Sequence, residues 1–202
     1  MIKFDKVYVK FVNDFYSLFD LSCEINSHSF LIENNLCGSS AFMRTLSKIN
    51  NDYKGEIFVD DVNLKNIKDK DLSIAYLPEN PILFKNKSIK FNLSYPLKIR
   101  KIDKNIIQKE INQLDLEFNN LNFNQKIKKL NLSEQKIITL LRILIRKPKY
   151  VLIENLFENI DENYKSTIIF ILEKLKENSI IIATEKNKEN FKYYENYVKL
   201  EI

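Results

Sequence analysis

The stretch LIENNLCGSSAFMRTL (31–46) joins an apolar pair to a short polar turn containing Gly38 and then to an apolar-periodic run. That order reads as strand, loop, helix. Unpaired N–H groups and the dipole at a helix N-terminus make such a junction a place to hold phosphate. The loop has no lysine, however, and it opens on Glu33. A phosphate loop without its cation and an ordinary turn both fit these residues. Further apolar runs end in polar or acidic residues at LPEN (77–80), IENLFENID (153–161) and ATEK (183–186), which puts Glu79, Glu154 and Glu185 at the ends of candidate strands. In an open α/β sheet, ligands gather beyond the carboxyl ends of the strands.

Other chemistries have less to work with. His28 is the only histidine, so a multi-histidine metal site is excluded, and its turn, SHS, reads as a solvated loop. Cys23 and Cys37 lack metal or redox spacing and suit a reducing compartment. The net charge of +5 comes almost wholly from scattered lysines, the arginines being Arg44, Arg100, Arg142 and Arg146. Solvated surface charge explains this better than a nucleic-acid patch, so a nucleic-acid partner is not expected. Gly38 and Gly55 are the only glycines, and any glycine-rich loop must manage with one.

The elements that would position these residues follow from pattern. At 202 residues, 45% hydrophobic and 29% charged, the chain suits one folded domain with a real core. No run approaches the roughly 20 apolar residues that span a membrane, and no signal peptide opens the sequence, so a cytoplasmic chain is expected. IKFDKVYVKF (2–11), SLFDLSCEI (17–25), SFLIE (29–33) and GEIFVDD (55–61) read as strands, the opening ones antiparallel and hairpin-like. FMRTLSKI (42–49) has helical spacing, and SIAYLPENP (73–81) is a short strand stopped by prolines.

From about residue 86 to 132 the character turns helical, with NIIQKEINQLDLEFNNL (105–121) amphipathic. LSEQKIITLLRILIRKP (132–148) is a strong helix pattern with Ser133 as its expected cap, and KYVLIEN (149–155) follows as an apolar strand. ENYKSTIIFILEKLKEN (162–178) and SIIIATE (179–185) repeat helix then buried strand. These paired units predict a mostly parallel sheet covered by helices.

The order and spacing of the four strand ends give the chain a family resemblance. Across essentially its full length it resembles the nucleotide-binding domain of an ABC-type ATPase. KGEIFVDDVNLKNIKDKDL (54–72) is similar to the family's stretch after the phosphate loop, IAYLPENPILF (74–84) to its Q-loop segment, and NLSYPLKIRKIDK (92–104) to the start of its helical subdomain. LRILIRKPKYVLIENLFENID (141–161) resembles helix, Walker B strand and D-loop in sequence. The resemblance implies an α/β, P-loop NTPase-like ABC ATPase fold: a mostly parallel core sheet with helices, an N-terminal antiparallel β subdomain and a helical insertion. It further implies a single domain over 1–202, with the helical subdomain at 80–132.

Carried over position by position, the resemblance implies a weakened site. The phosphate-loop frame falls on Glu33 to Ser40, with Gly38 and a magnesium-facing Ser40 kept but Ser39 at the lysine position. A missing charge-assisted contact of that kind is worth about 1.5–3 kcal/mol. The Q-loop position is Glu79, the Walker B positions are Glu154 for metal and Asn155 for the general base, and the H-loop position is Glu185. Asn155 cannot take up a proton near neutral pH, and Glu185 cannot donate to phosphate when ionised. The signature position reads Leu130-Asn131-Leu132-Ser133-Glu134, without glycines, leaving Asn131 and Ser133 as donors. Asp161 of the D-loop is kept, and Phe11 lies where an aromatic ring stacks on adenine.

Magnesium would therefore fall to Ser40, Glu154 and Glu79, and ATP to Phe11, Gly38, Ser39, Ser40, Asn131, Ser133 and Asp161, both weakly. The implied reading is a degenerate, pseudo-ATPase subunit of a membrane ABC complex. Its partners would be a permease-like protein, engaged near Pro81, Ile82, Leu83 and Phe84, and a second nucleotide-binding domain in a homo- or heterodimer. Such a chain would sit at the cytoplasmic face of the membrane through its partner. The alternative is a divergent working ATPase that uses Glu79 or Glu154 in unusual roles.

Overall fold

The computed structural model describes residues 1–12, 15–32, 38–118 and 121–202, without the side chains of residues 11, 12 and 15. The chain forms two compact units, one of Met1–Tyr76, Lys149–Asn155 and Ile180–Ile202, the other of Leu77–Pro148 and Leu156–Ser179.

In the first unit, β1 (Ile2–Val12) pairs antiparallel with β2 (Phe15–Ile25) and with β4 (Lys54–Val59), which in turn pairs with β5 (Val62–Asn63). The inward set on β1 switches from Ile2 and Phe4 to Val7 and Val9. A register shift between Phe4 and Val7, with Lys6 at φ 49°, turns the strand by one residue and keeps the apolar side inward. Gly55, at φ 86°, sits against this bulge, and a Cβ there would lie 2.2 Å from the Lys6 carbonyl oxygen. Only glycine fits.

The second sheet has the order β6 (Ile74–Leu77), β7 (Tyr150–Glu154), β8 (Ile180–Thr184), β3 (Ser29–Ile32), β9 (Val198–Glu201). β7 and β8 run parallel from Tyr150 opposite Ile180 to Glu154 opposite Thr184, and β3 is parallel to both β8 and β9. Every residue of β7 is buried, which is why its sequence is an unbroken apolar run up to the terminal acid. α1 (Gly38–Leu46) contributes Phe42, Met43 and Leu46 to a core that also takes Ile2, Phe4, Leu152 and Ile182, with Phe4 and Phe42 stacked at 4.4 Å. The expected parallel sheet and N-terminal antiparallel sheet are both present.

The second unit is helical. α2 (Ile89–Ile99) is capped by Ser88, whose hydroxyl accepts from the Phe91 N–H, and α3 (Lys104–Glu117) by Asp103. Buried Asn92 accepts from the Phe84 N–H at 2.8 Å and donates to the carbonyls of Phe84 and Ser88, fastening the segment before α2. α4 (Leu132–Arg146) packs against α2 and α5 (Glu162–Lys176).

Several expectations are corrected. The α4 cap is Asn131, not Ser133: Asn131 and Glu134 form a reciprocal capping box, while Ser133 is buried and turned elsewhere. His28 is not a solvated loop histidine. Its Nδ1 accepts from the Ile181 N–H at 3.1 Å and its ring lies 5.4 Å from Tyr197, because the turn leads directly into β3 beside β8. β5, β9 and the 3-10 turn Lys188–Tyr194 were not anticipated.

Candidate functional site

The strand ends of the first unit carry one constellation. Ser40 stands in the first turn of α1, and Glu154, 8% exposed, closes β7. The Ser40 hydroxyl donates to Oε1 of Glu154, and the hydroxyl of Tyr76, on β6, donates to Oε2. Two of the three expected magnesium residues are thus in direct contact, and the carboxylate is held through both oxygens. A hydroxyl and a carboxylate are the hard oxygen donors that suit magnesium. Glu79 lies half-buried in the bend after β6 and belongs to the second unit. Among the described residues, no group of three or more His, Cys, Asp or Glu side chains is arranged to hold a metal ion.

Gly38 and Ser39 open α1 and are buried, and no acidic residue stands in the first turn of that helix. At this end of the helix, position 39, where the resemblance expects a lysine, holds a serine rather than a cation. Glu33, the acid expected in the loop, lies outside the described residues. Phe11 is part of β1, and its side chain is likewise outside them.

Asn155 follows Glu154 in the left-handed region, at φ 49°, and is 2% exposed. Its N–H donates to the Thr184 carbonyl and its Oδ1 accepts from the Lys186 N–H, each at 2.9 Å. Asparagine suits such a position because its short polar side chain tolerates left-handed backbone. The side chain thus ties the end of β7 to the residues after β8. Glu185, also buried, accepts from the Tyr194 hydroxyl at 3.2 Å and from Asn190 Nδ2 at 3.5 Å. Burial, with the Glu185 carboxylate beside it, holds the Tyr194 phenol well above its usual range.

The second unit carries a separate constellation. Asn131 Oδ1 accepts from the Glu134 N–H at 2.8 Å, and Glu134 Oε2 from the Asn131 N–H at 2.9 Å. Ser133 donates to Asp161 Oδ2 at 3.3 Å and accepts from the Asp161 N–H at 3.0 Å. Asp161 stands at the N-cap position of α5 without making a side-chain cap bond. Sequence reasoning missed Tyr76, Asn190 and Tyr194, whose roles depend on neighbours far along the chain. Periodicity carries no signal for such pairs.

Comparison with known proteins places this geometry. Residues 18–157 match the ABC transporter family. The chain belongs to that family. Among curated ABC relatives, the molybdate/tungstate import ATP-binding protein WtpC of Methanocaldococcus jannaschii is 27% identical over 171 residues, 80% of this chain and 57% of that protein. The sn-glycerol-3-phosphate import ATP-binding protein UgpC of Bordetella avium is 30% identical over 142 residues, 69% of this chain and 38% of that protein. The chain thus spans about half the length of the curated relatives it matches, or less.

Among solved ABC structures, the dimeric post-hydrolysis state of the ATP-binding cassette MJ0796 bound to ADP and Pi superposes with a TM-score of 0.79 at 16% identity, covering 96% of this chain and 91% of that one. A nucleotide-free ATP-binding cassette from an ABC transporter gives 0.78, also at 16% identity, covering 100% and 87%. The fold is that of an ABC cassette.

Proposed function

We propose that this chain is an ABC-type ATP-binding subunit with little or no ATP hydrolysis, acting as a structural or regulatory partner in a membrane ABC-type complex. The observation that carries the reading is Asn155. The position assigned to the general base holds a group with no proton to gain near neutral pH, and its Oδ1 is engaged with the Lys186 N–H. Ser39 at the lysine position and the signature without glycines point the same way.

Magnesium, when bound, would neutralise phosphate charge, and Ser40 and Glu154 are the residues that would hold it. The N–H groups opening α1 would meet phosphate without help from a side-chain cation, so ATP binding is weak. Losing a charge-assisted contact of about 1.5–3 kcal/mol lowers affinity by roughly 10- to 150-fold.

The partner is a permease-like protein, engaged through the helical segment 80–132, where Ile82 and Phe84 are 68% and 42% exposed. A second ABC nucleotide-binding domain is the other partner. Names of relatives as import ATP-binding proteins support an import complex. No described helix is long and apolar enough to cross a membrane. In this proposal the permease holds the chain at the cytoplasmic face.

Affinity capture of the tagged chain from solubilised membranes should recover a multi-span membrane protein, and capture that recovers none would defeat the complex reading. Calorimetric titration with ATP and magnesium should give at most weak binding. The contact of Ser40 with Glu154 favours a second reading, a divergent ATPase that keeps two of its expected metal residues together. Micromolar, magnesium-dependent affinity would favour that reading.

A further inference from the structure

Lys136 is a lysine with 0% exposure, one turn into α4. Its Nζ donates to the Leu156 carbonyl at 3.0 Å and to the Glu158 carbonyl at 2.9 Å. Burying an ammonium is costly unless its N–H donors are met, and carbonyls of an irregular loop need donors from outside their own backbone. The loop needs such help because it is irregular: Leu156 and Phe157 are only 0% and 3% exposed, and Asn159 takes φ 54°. One turn earlier on the same helix, Ser133 and Asp161 exchange two hydrogen bonds, at 3.0 and 3.3 Å. Both halves of Leu156–Asp161 are therefore bonded to the first two turns of α4.

We infer that Lys136 is a positioning residue which, with Ser133, locks the loop Leu156–Asp161 onto α4 in one conformation that does not respond to nucleotide. The lock stands on the hydrogen bonds alone; its indifference to nucleotide rests on the reading of this chain as a non-hydrolysing subunit. Ser133 and Asp161 are residues the family resemblance directs toward nucleotide, and here their polar groups are spent on each other. A partner subunit would then meet a preformed surface at the start of α4.

Hydrogen exchange of the full chain, read on peptides covering 156–161, tests this. Without nucleotide, Lys136→Met should exchange about 10-fold faster across the loop than the parent chain, with β7 and β8 unchanged. Lys136→Gln, which keeps N–H donors, should recover part of that protection. If Gln does no better than Met, or if folded Lys136→Met exchanges like the parent, the lock is wrong. Should Lys136→Met fail to fold, Ser133→Ala decides at the Asp161 amide, where faster exchange supports the lock and unchanged exchange overturns it. In the parent chain, ATP with magnesium should leave the loop's exchange unaltered, and a 10-fold change would overturn the indifference. ATP turnover would defeat the non-hydrolysing reading while leaving the nucleotide-free comparison standing.

Discussion

Replacing Asn155 by alanine removes two things at once. The Lys186 N–H, now 2.9 Å from Oδ1, loses its acceptor in a place where Asn155 is only 2% exposed. Lys186 itself is exposed, so water can take the place of the lost acceptor, and the loss is the net worth of one hydrogen bond, about 0.5–1.5 kcal/mol. Alanine must also adopt φ 49°, which costs about 1–2 kcal/mol for an ordinary L-residue. Asn155→Ala should therefore destabilise by about 1.5–3.5 kcal/mol. Asn155→Gly tolerates that backbone and loses the acceptor, so it should fall closer to the parent, about 0.5–1.5 kcal/mol down. Urea unfolding followed by far-ultraviolet circular dichroism measures both, with an unchanged m-value showing that the unfolded state is not involved. If Asn155→Ala lies within about 0.5 kcal/mol of the parent, the side chain is not holding the end of β7 and the argument is refuted.

Other perturbations read the same network. Tyr76→Phe strips the donor from Oε2 of buried Glu154 and should cost about 1–3 kcal/mol in thermal or urea unfolding, whereas an unchanged midpoint would mean the hydroxyl is dispensable. For Asp60, burial pushes the carboxyl up, but hydrogen bonds from Lys149, the Met1 amine and Tyr150 prevail and hold it at about 2, below its ordinary 3.8. A depressed carboxyl contributes stability above 3.8 that is lost as pH falls through about 2. Because Asp60 is 39% exposed, the loss is under about 1 kcal/mol. Asp60→Asn should flatten that part of the melting-temperature profile, and an identical slope in parent and variant would contradict the assignment.

The parts of the fold that a sequence announces are those whose burial is continuous or periodic. KYVLIEN and SIIIATE are legible because parallel strands covered on both faces need apolar residues at every position. α4 is legible from its long apolar face, but which residue caps it is not. Asn131-Leu132-Ser133-Glu134 contains two residues able to cap, and the partner that decides, Glu134, lies three residues after Asn131 and only one after Ser133. His28 shows the opposite weakness: a polar turn looked solvated because nothing local reveals that the Ile181 N–H will reach its ring. The contact of Ser40 with Glu154 was foreseeable from the family resemblance, but Tyr76 was not. Its place on Glu154 depends on strands separated by 78 positions in the chain.

Phosphate release from ATP, measured on the purified chain with magnesium and with its membrane partner present, tests the central claim most directly. The account predicts a rate at background, identical for the parent and Glu154→Gln. Magnesium-dependent turnover that Glu154→Gln abolishes would contradict it.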